Sequence, residues 1–280
     1  MSRRSIDLVS RPMDALRQID GWSAEHAAAA IVRAGGVVVE YGPRHHVFRW
    51  ASVTKPATAL AALVAAEEGA IDLDEPAGPP GSTVRHLLAH ASGLPFDPGP
   101  PLGRPGERRI YSNHGFDVLA EHVEAQTEIP FPEYLHGAVF APLGMDAELR
   151  GSAGSHVYGS LDDLVGLARE LLRPTLVARE TLAEATAVAF PGLSGVLPGF
   201  GRFDQLDWGL GFELKNGKPN HWSGSLSSAR TFGHFGGAGS FLWVDPEREV
   251  ALACLTDREF GDWAKIAWPA LSDAVLEELE

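Results

Sequence analysis

The chain reads SVTKPATALAALVAAEE over residues 52–68, and this stretch decides how the fold is interpreted. Its alanines and leucines run almost without interruption, which predicts a buried helix over Thr54–Glu68. Pro56 fits this helix only if the helix begins close to Ser52. The N–H that proline lacks is then one of the four N–H groups that have no partner at every helix start. Ser52 and Lys55 are therefore predicted to lie in the first turn of a central helix.

Strand patterns occur only towards the two ends of the chain. After a first helix, the short apolar runs Ala27–Arg33 and Val37–Glu40 are joined through Gly35-Gly36, a turn signal that predicts a hairpin. Turn residues also separate four apolar runs near the other end, and a closing helix with an apolar stripe begins at Trp263. These four predicted strands are Trp208–Leu214, Thr231–Phe235, Phe241–Asp245 and Val250–Thr256.

Helical patterns fill the middle of the chain, around a Pro- and Gly-rich stretch at residues 76–106. The simplest architecture is α+β, with one antiparallel sheet built from both ends of the chain, flanked by the N- and C-terminal helices, and an all-helical lobe inserted between them. We expect an α/β domain of residues 1–76 and 205–280 and an inserted helical domain of residues 77–204, with a cleft where they meet. The predicted inserted helices are Thr83–His90, Phe116–Val123, Phe131–Phe140, Leu161–Leu172 and Arg179–Val188.

Composition excludes several classes of protein. With 45% hydrophobic and 21% charged residues, the 280-residue chain is not expected to be disordered or fibrous. Its single cysteine, Cys254, excludes an intrachain disulfide framework and a cysteine-based zinc site. His86 and His90 have the spacing of a helical metal pair, but no third ligand is evident, so no metal site is expected. Nothing indicates a cofactor.

The charge of the chain constrains its partners. A formal net charge of −14 makes nucleic acid and anionic membranes poor partners, and a small-molecule substrate is expected instead. The sequence does not indicate an oligomeric state.

The N-terminus carries Arg3-Arg4, the dipeptide of a twin-arginine export signal. Five charged residues are spread over the segment from Ser5 to Gly21, so no apolar core follows it. The apolar run Ala57–Ala66 has about half of the roughly 20 residues that a membrane span needs. We therefore expect a cytoplasmic protein.

Lysine usage singles out one residue. The chain has 4 lysines against 19 arginines, and Lys55 is the only lysine in the first 214 residues. Lysine can lose its proton in a protein, whereas arginine does not. Because Ser52 lies three residues earlier, its hydroxyl and the Lys55 amine are neighbours on a helix, near the positive end of the helix dipole. A capping serine followed by a surface lysine is the alternative that this pair alone leaves open.

Two further segments carry candidate functional groups. Tyr111-Ser112-Asn113 follows the Pro-rich loop. If this segment faces the cleft, the Tyr111 phenol and the Lys55 amine can share one proton, and the Asn113 carboxamide can hold both the amine and a substrate amide. His234-Phe235-Gly236-Gly237 lies on or beside a strand, where glycines let another group approach the backbone. Taken alone, each segment is explained at least as well by a packed loop or a tight turn.

Three segments together resemble the three active-site elements of the serine β-lactamase and penicillin-binding protein superfamily. They are Ser52-Val53-Thr54-Lys55, Tyr111-Ser112-Asn113 and His234-Phe235-Gly236. The most similar branches are class C β-lactamases, related esterases and DD-peptidase-like hydrolases. The runs Val84–Leu94 and Trp208–Phe212 resemble the same group. The resemblance spans roughly residues 30–275 and implies a two-lobed β-lactamase/transpeptidase-like fold.

The resemblance also implies roles for the reacting groups. Ser52 would be the nucleophile that becomes acylated, and Lys55 and Tyr111 would form the general base pair. The expected function is a serine hydrolase that acts through an acyl-enzyme at Ser52 and cleaves an ester or amide, as a carboxylesterase or a peptidase does.

Further residues would bind the substrate. Asn113 would orient the substrate and the lysine, while His234 and Gly236 would line the cleft and contact the substrate. The oxyanion hole would consist of the backbone N–H groups of Ser52 and Gly237.

His234 departs from the family pattern, in which the third element begins with a lysine or arginine. The permanent positive charge of that residue binds a carboxylate of the substrate. A histidine near its reference pKa of about 6.5 is mostly neutral at neutral pH, so recognition of a fixed anion should weaken. Two alternatives stay open. One is a genuine β-lactamase or DD-peptidase, with His234 protonated or replaced in its role by Arg202 or Arg230. The other is a non-catalytic binding protein on the same fold.

Overall fold

The computed structural model describes residues 14–280, so Arg3-Arg4 lies outside the described residues. The helices are α1 (Thr54–Glu67), α2 (Val84–Leu88), α3 (Asn113–Thr127), α4 (Phe131–Leu135), α5 (Leu161–Leu172), α6 (Arg179–Ala185) and α7 (Asp262–Glu278), with 3-10 helices at Asp14–Trp22 and Ala51–Val53 and a π-helical turn at His136–Phe140. The strands are β1 (Ala27–Arg33), β2 (Gly36–Tyr41), β3 (Phe48–Arg49), β4 (Glu148–Leu149), β5 (Val157–Gly159), β6 (Gly195–Leu197), β7 (Gly201–Phe203), β8 (Glu213–Leu214), β9 (Phe232–Phe235), β10 (Phe241–Asp245) and β11 (Val250–Thr256).

Six antiparallel strands form the central sheet, in the order β2-β1-β11-β10-β9-β8. The N-terminal hairpin joins the C-terminal strands through β1 and β11, where Ala27 lies opposite Thr256 and Arg33 opposite Val250. The two ends of the chain therefore build one sheet, and the predicted α+β class is confirmed.

Each face of the sheet is covered by helices. On one face, the 3-10 helix at Asp14–Trp22 and α7 bury Leu16, Trp22 and Trp268 against the strands. On the other face, the strands share a core with α1 and α5, to which Leu60 and Leu164 contribute. Among the described residues, no helix has the length and apolar character needed to cross a membrane.

Residues 77–204 contain helices, long loops and short strands, so the inserted segment is not all-helical. Strands β3, β5 and β4 form a small sheet, and β6 pairs with β7 as a hairpin. Strands of two or three residues are too short to show an alternating pattern, which explains why the sequence did not predict them. Helix α5 packs directly on β1 and β11 although it lies within residues 77–204. The division at residues 77 and 204 stays a prediction.

The predicted strand Trp208–Leu214 is wrong over most of its length. Only Glu213–Leu214 is a strand, because the chain turns at Gly211, whose φ is +91°, and the N–H of Gly209 donates to the carbonyl of Phe212 at 2.8 Å. The Gly211 N–H donates to the carbonyl of Leu88 at 3.0 Å, and a Cβ at Gly211 would lie 2.2 Å from the Cβ of Ala59 on α1. This turn therefore needs glycine both for its backbone conformation and for its close approach to α1.

The close approach of Gly211 gives a prediction for stability. We expect Gly211→Ala to lower the free energy of unfolding by about 2–5 kcal/mol, since a positive φ costs an L-residue about 1–2 kcal/mol and overpacking about 1–3 kcal/mol. Gly217→Ala is the matched control, because Gly217 has a φ of +77° but a Cβ there would have no atom within 4 Å. Gly217→Ala should therefore lower the free energy of unfolding only by the conformational cost of a positive φ, about 1–2 kcal/mol. Denaturant titrations measure both variants, and equal losses would contradict the close packing at Gly211.

Candidate active site

Ser52 lies in the 3-10 helix at Ala51–Val53, which leads directly into α1. Ala51 has a φ of +47°, a left-handed conformation that is uncommon for a residue other than glycine. The preceding Trp50 is held from two sides: its N–H donates to the carbonyl of Val157 at 2.9 Å, and its carbonyl accepts from the Ser240 hydroxyl at 2.7 Å. The serine is thus positioned by a constrained turn that is anchored by β5 and by the residue before β10.

The amine of Lys55 is fully buried beside the serine. Its Nζ lies 3.4 Å from Ser52 Oγ, 2.6 Å from Asn113 Oδ1 and 2.8 Å from the carbonyl oxygen of Gly154. A neutral amine has two N–H groups and one lone pair, and the two carbonyl oxygens can only accept. When both N–H groups are used in this way, the lone pair is left for the hydroxyl proton of Ser52.

Burial sets the protonation state of Lys55. Desolvation holds its pKa well below the usual value for lysine, and the carboxylate of Asp117 offsets only part of this effect. Around the amine lie the rings of Tyr111, whose centroid is 4.5 Å from Nζ, and Phe116, at 5.3 Å. The ring faces attract the ammonium form, so it is desolvation that shifts Lys55 towards the neutral amine, which is the form that can accept a proton.

The carbonyl of Gly154 is a site component that the sequence did not predict. Its loop is pinned to α3, because Asp117 Oδ1 accepts from the Ser152 hydroxyl at 2.7 Å and from the Ala153 N–H at 2.9 Å. A Cβ at Gly154 would lie 3.0 Å from the Cα of Asn113, so glycine allows the loop to approach. A backbone carbonyl leaves no residue-type signal in a sequence.

Tyr111 lies between the lysine and the histidine. Burial raises the pKa of its phenol, and a hydrogen bond with Ser52 offsets part of that rise. The phenol oxygen is also 3.4 Å from Nε2 of His234. Tyr111 is therefore protonated at neutral pH and can act as a proton donor.

His234 is buried and neutral. Its Nδ1 lies 2.6 Å from the carbonyl oxygen of Phe235, which can only accept, so Nδ1 carries the proton and Nε2 is the acceptor for the Tyr111 hydroxyl. Burial, reinforced by the proximity of Lys55, lowers the pKa of His234 to about 3. This environment opposes the alternative in which a protonated His234 supplies a cation.

The two arginines weighed as substitutes for that cation lie elsewhere. Arg230 is exposed and lines a cavity to which no predicted site residue contributes. Arg202 is exposed on the β6–β7 hairpin and lines another cavity, with Phe200 and Trp222. Neither forms a hydrogen bond with a site residue within the described chain.

The glycines after β9 lie against the serine turn. The Gly236 N–H donates to the carbonyl of Ser240 at 2.8 Å, and a Cβ at Gly236 would lie 2.4 Å from the carbonyl oxygen of Trp50. Gly237 is exposed, and within residues 14–280 its N–H donates to no acceptor. Ser52 lies in the first turn of its helix, where N–H groups lack partners inside the helix. Both predicted oxyanion donors are therefore available.

His90, weighed in the sequence only as a metal ligand, holds the backbone on both sides of Tyr111. Its carbonyl accepts from the Ile110 N–H at 2.9 Å, and its Nδ1 accepts from the Ser112 N–H at 3.2 Å. Its ring packs on the Tyr111 ring with centroids 4.5 Å apart. His86 has a different role, since its Nδ1 contacts the Thr83 hydroxyl at 2.9 Å at the start of α2.

The structure thus brings together Ser52, Lys55, Tyr111, Asn113, His234 and Gly236. A hydroxyl next to a buried amine of lowered pKa, with a protonated phenol and free backbone N–H groups nearby, is an arrangement suited to nucleophilic attack on a carbonyl carbon.

Comparisons with known proteins cover nearly the whole of this fold. A family model described as Beta-lactamase matches residues 17–276. A crystal structure of a beta-lactamase (Mb2281c) from Mycobacterium bovis is 54% identical to the chain, with a TM-score of 0.93 over 94% of this chain and 98% of that one. The fold is also shared with EstCE1, a hydrolase with promiscuous acyltransferase activity, at 19% identity and a TM-score of 0.77 over 93% of this chain and 96% of that one.

A more distant relative is Penicillin-binding protein 4* of Bacillus subtilis (strain 168), which is 28% identical over a region covering 36% of this chain. That region spans 30% of the length of the relative.

The burial of His234 predicts a pH-dependent stability. Its folded pKa of about 3 lies below its unfolded value of about 6.5, so between these values only the unfolded state takes up the proton. The free energy of unfolding should fall as the pH falls through this window, and His234→Gln should reduce the slope by up to about 1.4 kcal/mol per pH unit. His136→Gln, at an exposed position, is the control. Denaturant titrations from pH 7 to pH 4 measure the slopes, and an unchanged slope in His234→Gln would contradict a buried neutral imidazole.

Proposed function

The chain belongs to the beta-lactamase family, and we propose that it is a serine hydrolase that cleaves an ester or amide through an acyl-enzyme at Ser52. The observation that carries this proposal is the 3.4 Å contact between Ser52 Oγ and Nζ of the buried Lys55. The nucleophile and its base are within reach of each other, and a third group, Asn113, orients the base at 2.6 Å.

Acylation begins when the Ser52 hydroxyl gives its proton to the lone pair of Lys55 and Oγ attacks the substrate carbonyl carbon. General base catalysis of this kind contributes about 10²–10⁴-fold to the rate. The N–H groups of Ser52 and Gly237 stabilise the oxyanion, and one such donor is worth about 3 kcal/mol. When the tetrahedral intermediate collapses, Tyr111 protonates the leaving alcohol or amine and recovers a proton from the Lys55 ammonium.

Deacylation uses the same groups with water as the nucleophile. Lys55, neutral again, takes a proton from the attacking water, and the ammonium returns this proton to Ser52 Oγ when the acid product leaves. Each cycle restores the starting protonation of Ser52, Lys55 and Tyr111, so the site needs no external proton carrier.

The charges around the site favour a substrate without a fixed anion. His234 is neutral where relatives with a lysine or arginine carry a permanent cation, and burial lowers the pKa of Lys55 well below its usual value. Phe96, which is 48% exposed, stacks on Tyr111 with ring centroids 6.0 Å apart and adds apolar surface beside the phenol. An uncharged acyl ester or amide is therefore the favoured substrate class.

Hydrolysis of a β-lactam or of a D-alanine peptide is the second candidate function. It is favoured by the 54% identity to a Mycobacterium bovis protein described as a beta-lactamase. A non-catalytic binding protein is disfavoured, because such a protein has no need for a neutral buried amine in contact with a serine hydroxyl.

The substrate classes are separated by comparing p-nitrophenyl butyrate with nitrocefin. We expect kcat/KM to be at least about tenfold higher for the ester, because discrimination of this size needs only about 1.4 kcal/mol. A higher kcat/KM for nitrocefin would support the β-lactamase alternative. Stoichiometric acylation without turnover of either compound would support the binding protein.

The roles of Ser52 and Lys55 are tested by labelling with a fluorophosphonate. Ser52→Ala should abolish labelling. Lys55→Met, which keeps the volume and removes the base, should slow labelling by at least about a hundredfold. Circular dichroism and Tm serve as folding controls. Equal labelling of Ser52→Ala and wild type would overturn the proposal, and wild-type labelling of Lys55→Met would exclude the lysine as base.

His90 is expected to act as a positioning residue for Tyr111. His90→Asn keeps an acceptor near the Ser112 N–H and suits the φ of +55°, whereas His90→Leu keeps a similar size without an acceptor. A misplacement of about 1 Å can cost about a hundredfold in rate, so kcat should fall by about ten- to a hundredfold in His90→Leu, with KM little changed. His90→Asn should recover most of this loss, and equal kcat values for the two variants would exclude the acceptor role.

A further inference from the structure

A cavity of about 720 Å³ lies apart from the serine site. It is enclosed by the end of α5, by α6 and the residues that follow it, and by the sheet edge where β8 meets the start of β9. None of the predicted site residues lines it. Its volume falls within the range of about 300–1,000 Å³ that is typical of small-molecule sites.

The inner wall of this cavity is apolar. Leu182, Leu214 and Phe232 line it and belong to the main hydrophobic core, and the half-buried Val188 packs against that core. An alkyl chain placed on this wall would be stabilised in proportion to the apolar surface that it removes from water. The wall therefore suits the apolar part of a ligand and gives little to a small inorganic anion.

The outer part of the cavity is basic. Arg173, Arg179 and Arg230 line it, all three are exposed, and none forms an ion pair with a carboxylate of residues 14–280. Glu249 is the single acidic residue among those that line it. A nearby carboxylate, that of Glu184 on α6, is already bound by Arg85 at 2.6 Å.

Three arginines against one glutamate is unusual for a chain with a net charge of −14. The planar guanidinium group binds carboxylates through two parallel hydrogen bonds, which makes arginine suited to a carboxylate head group. The surrounding negative charge of the chain disfavours a polyanion such as nucleic acid, which would have to extend beyond the cavity.

We propose that this cavity binds an anionic amphiphile of the fatty-acid type, with its alkyl chain on the Leu182–Leu214–Phe232 wall and its carboxylate among Arg173, Arg179 and Arg230. The site is separate from Ser52 and does not depend on the proposed hydrolase function.

Binding is measured by titrating the protein with dansyl-undecanoic acid and following the fluorescence increase on transfer to an apolar site. We expect saturable binding to wild type and at least about tenfold weaker binding to the triple variant Arg173→Gln/Arg179→Gln/Arg230→Gln, because it removes the guanidinium groups that would hold the carboxylate. The control is Arg202→Gln, which removes an exposed arginine from the β6–β7 hairpin and should leave Kd within about twofold.

Two further ligands separate the head group from the chain. The matching amine, dansyl-undecylamine, should bind at least about tenfold more weakly than the acid, and butyrate should not displace the acid at millimolar concentration. The proposal is overturned by the absence of saturable binding, by an unchanged Kd in the triple variant, by equal binding of the amine, or by displacement with butyrate. The Ser52→Ala variant should bind like wild type, so a failure of the hydrolase proposal leaves this test unaffected.

Discussion

The removal of the Lys55 amine from water is the constraint on which the rest of the site depends. Burial lowers the pKa of Lys55 well below its usual value, because the ammonium form loses its hydration. The amine is surrounded by aromatic rings on one side and by two carbonyl oxygens, from Asn113 and Gly154, on the other. These acceptors fix the direction of both N–H groups, so the lone pair is left facing the serine.

Four distant parts of the chain cooperate to create this environment. The 3-10 helix at Ala51–Val53 carries the serine and α1 carries the lysine. The start of α3 carries Asn113, two residues after Tyr111, the loop at residues 152–155 carries the second carbonyl, and β9 carries His234. Glycines at 211 and 236 let the turn before β8 and the end of β9 approach α1 and the serine turn more closely than any other residue would allow. Non-glycine residues with positive φ, at Ala51 and His90, lie beside the nucleophile and the phenol. Backbone strain of this kind is commonly retained at functional sites, where the surrounding structure holds it in place.

The serine site and the cavity between α6 and β8 differ in the charge of the side chains that line them. The serine site is lined by a lysine whose pKa is lowered by burial, a neutral histidine and a protonated tyrosine. Exposed arginines that form no ion pair within residues 14–280 occur instead around the cavity between α6 and β8. This difference is the reason for proposing a neutral substrate at one site and an anionic ligand at the other.

The sequence alone predicted the features that are set by residues close to one another along the chain. The bounds of β1, β10, β11 and α5 agree with the predicted ones, and the three-residue spacing of Ser52 and Lys55 made their contact predictable. The Gly154 carbonyl, the acceptor role of His90 and the proton position on His234 had no such local signal. They depend on contacts such as those of Lys55 with Gly154 and Trp50 with Ser240, across 99 and 190 positions of the chain. Only the tertiary structure decides which groups are buried together, and burial is what sets their pKa values and their hydrogen-bonding roles.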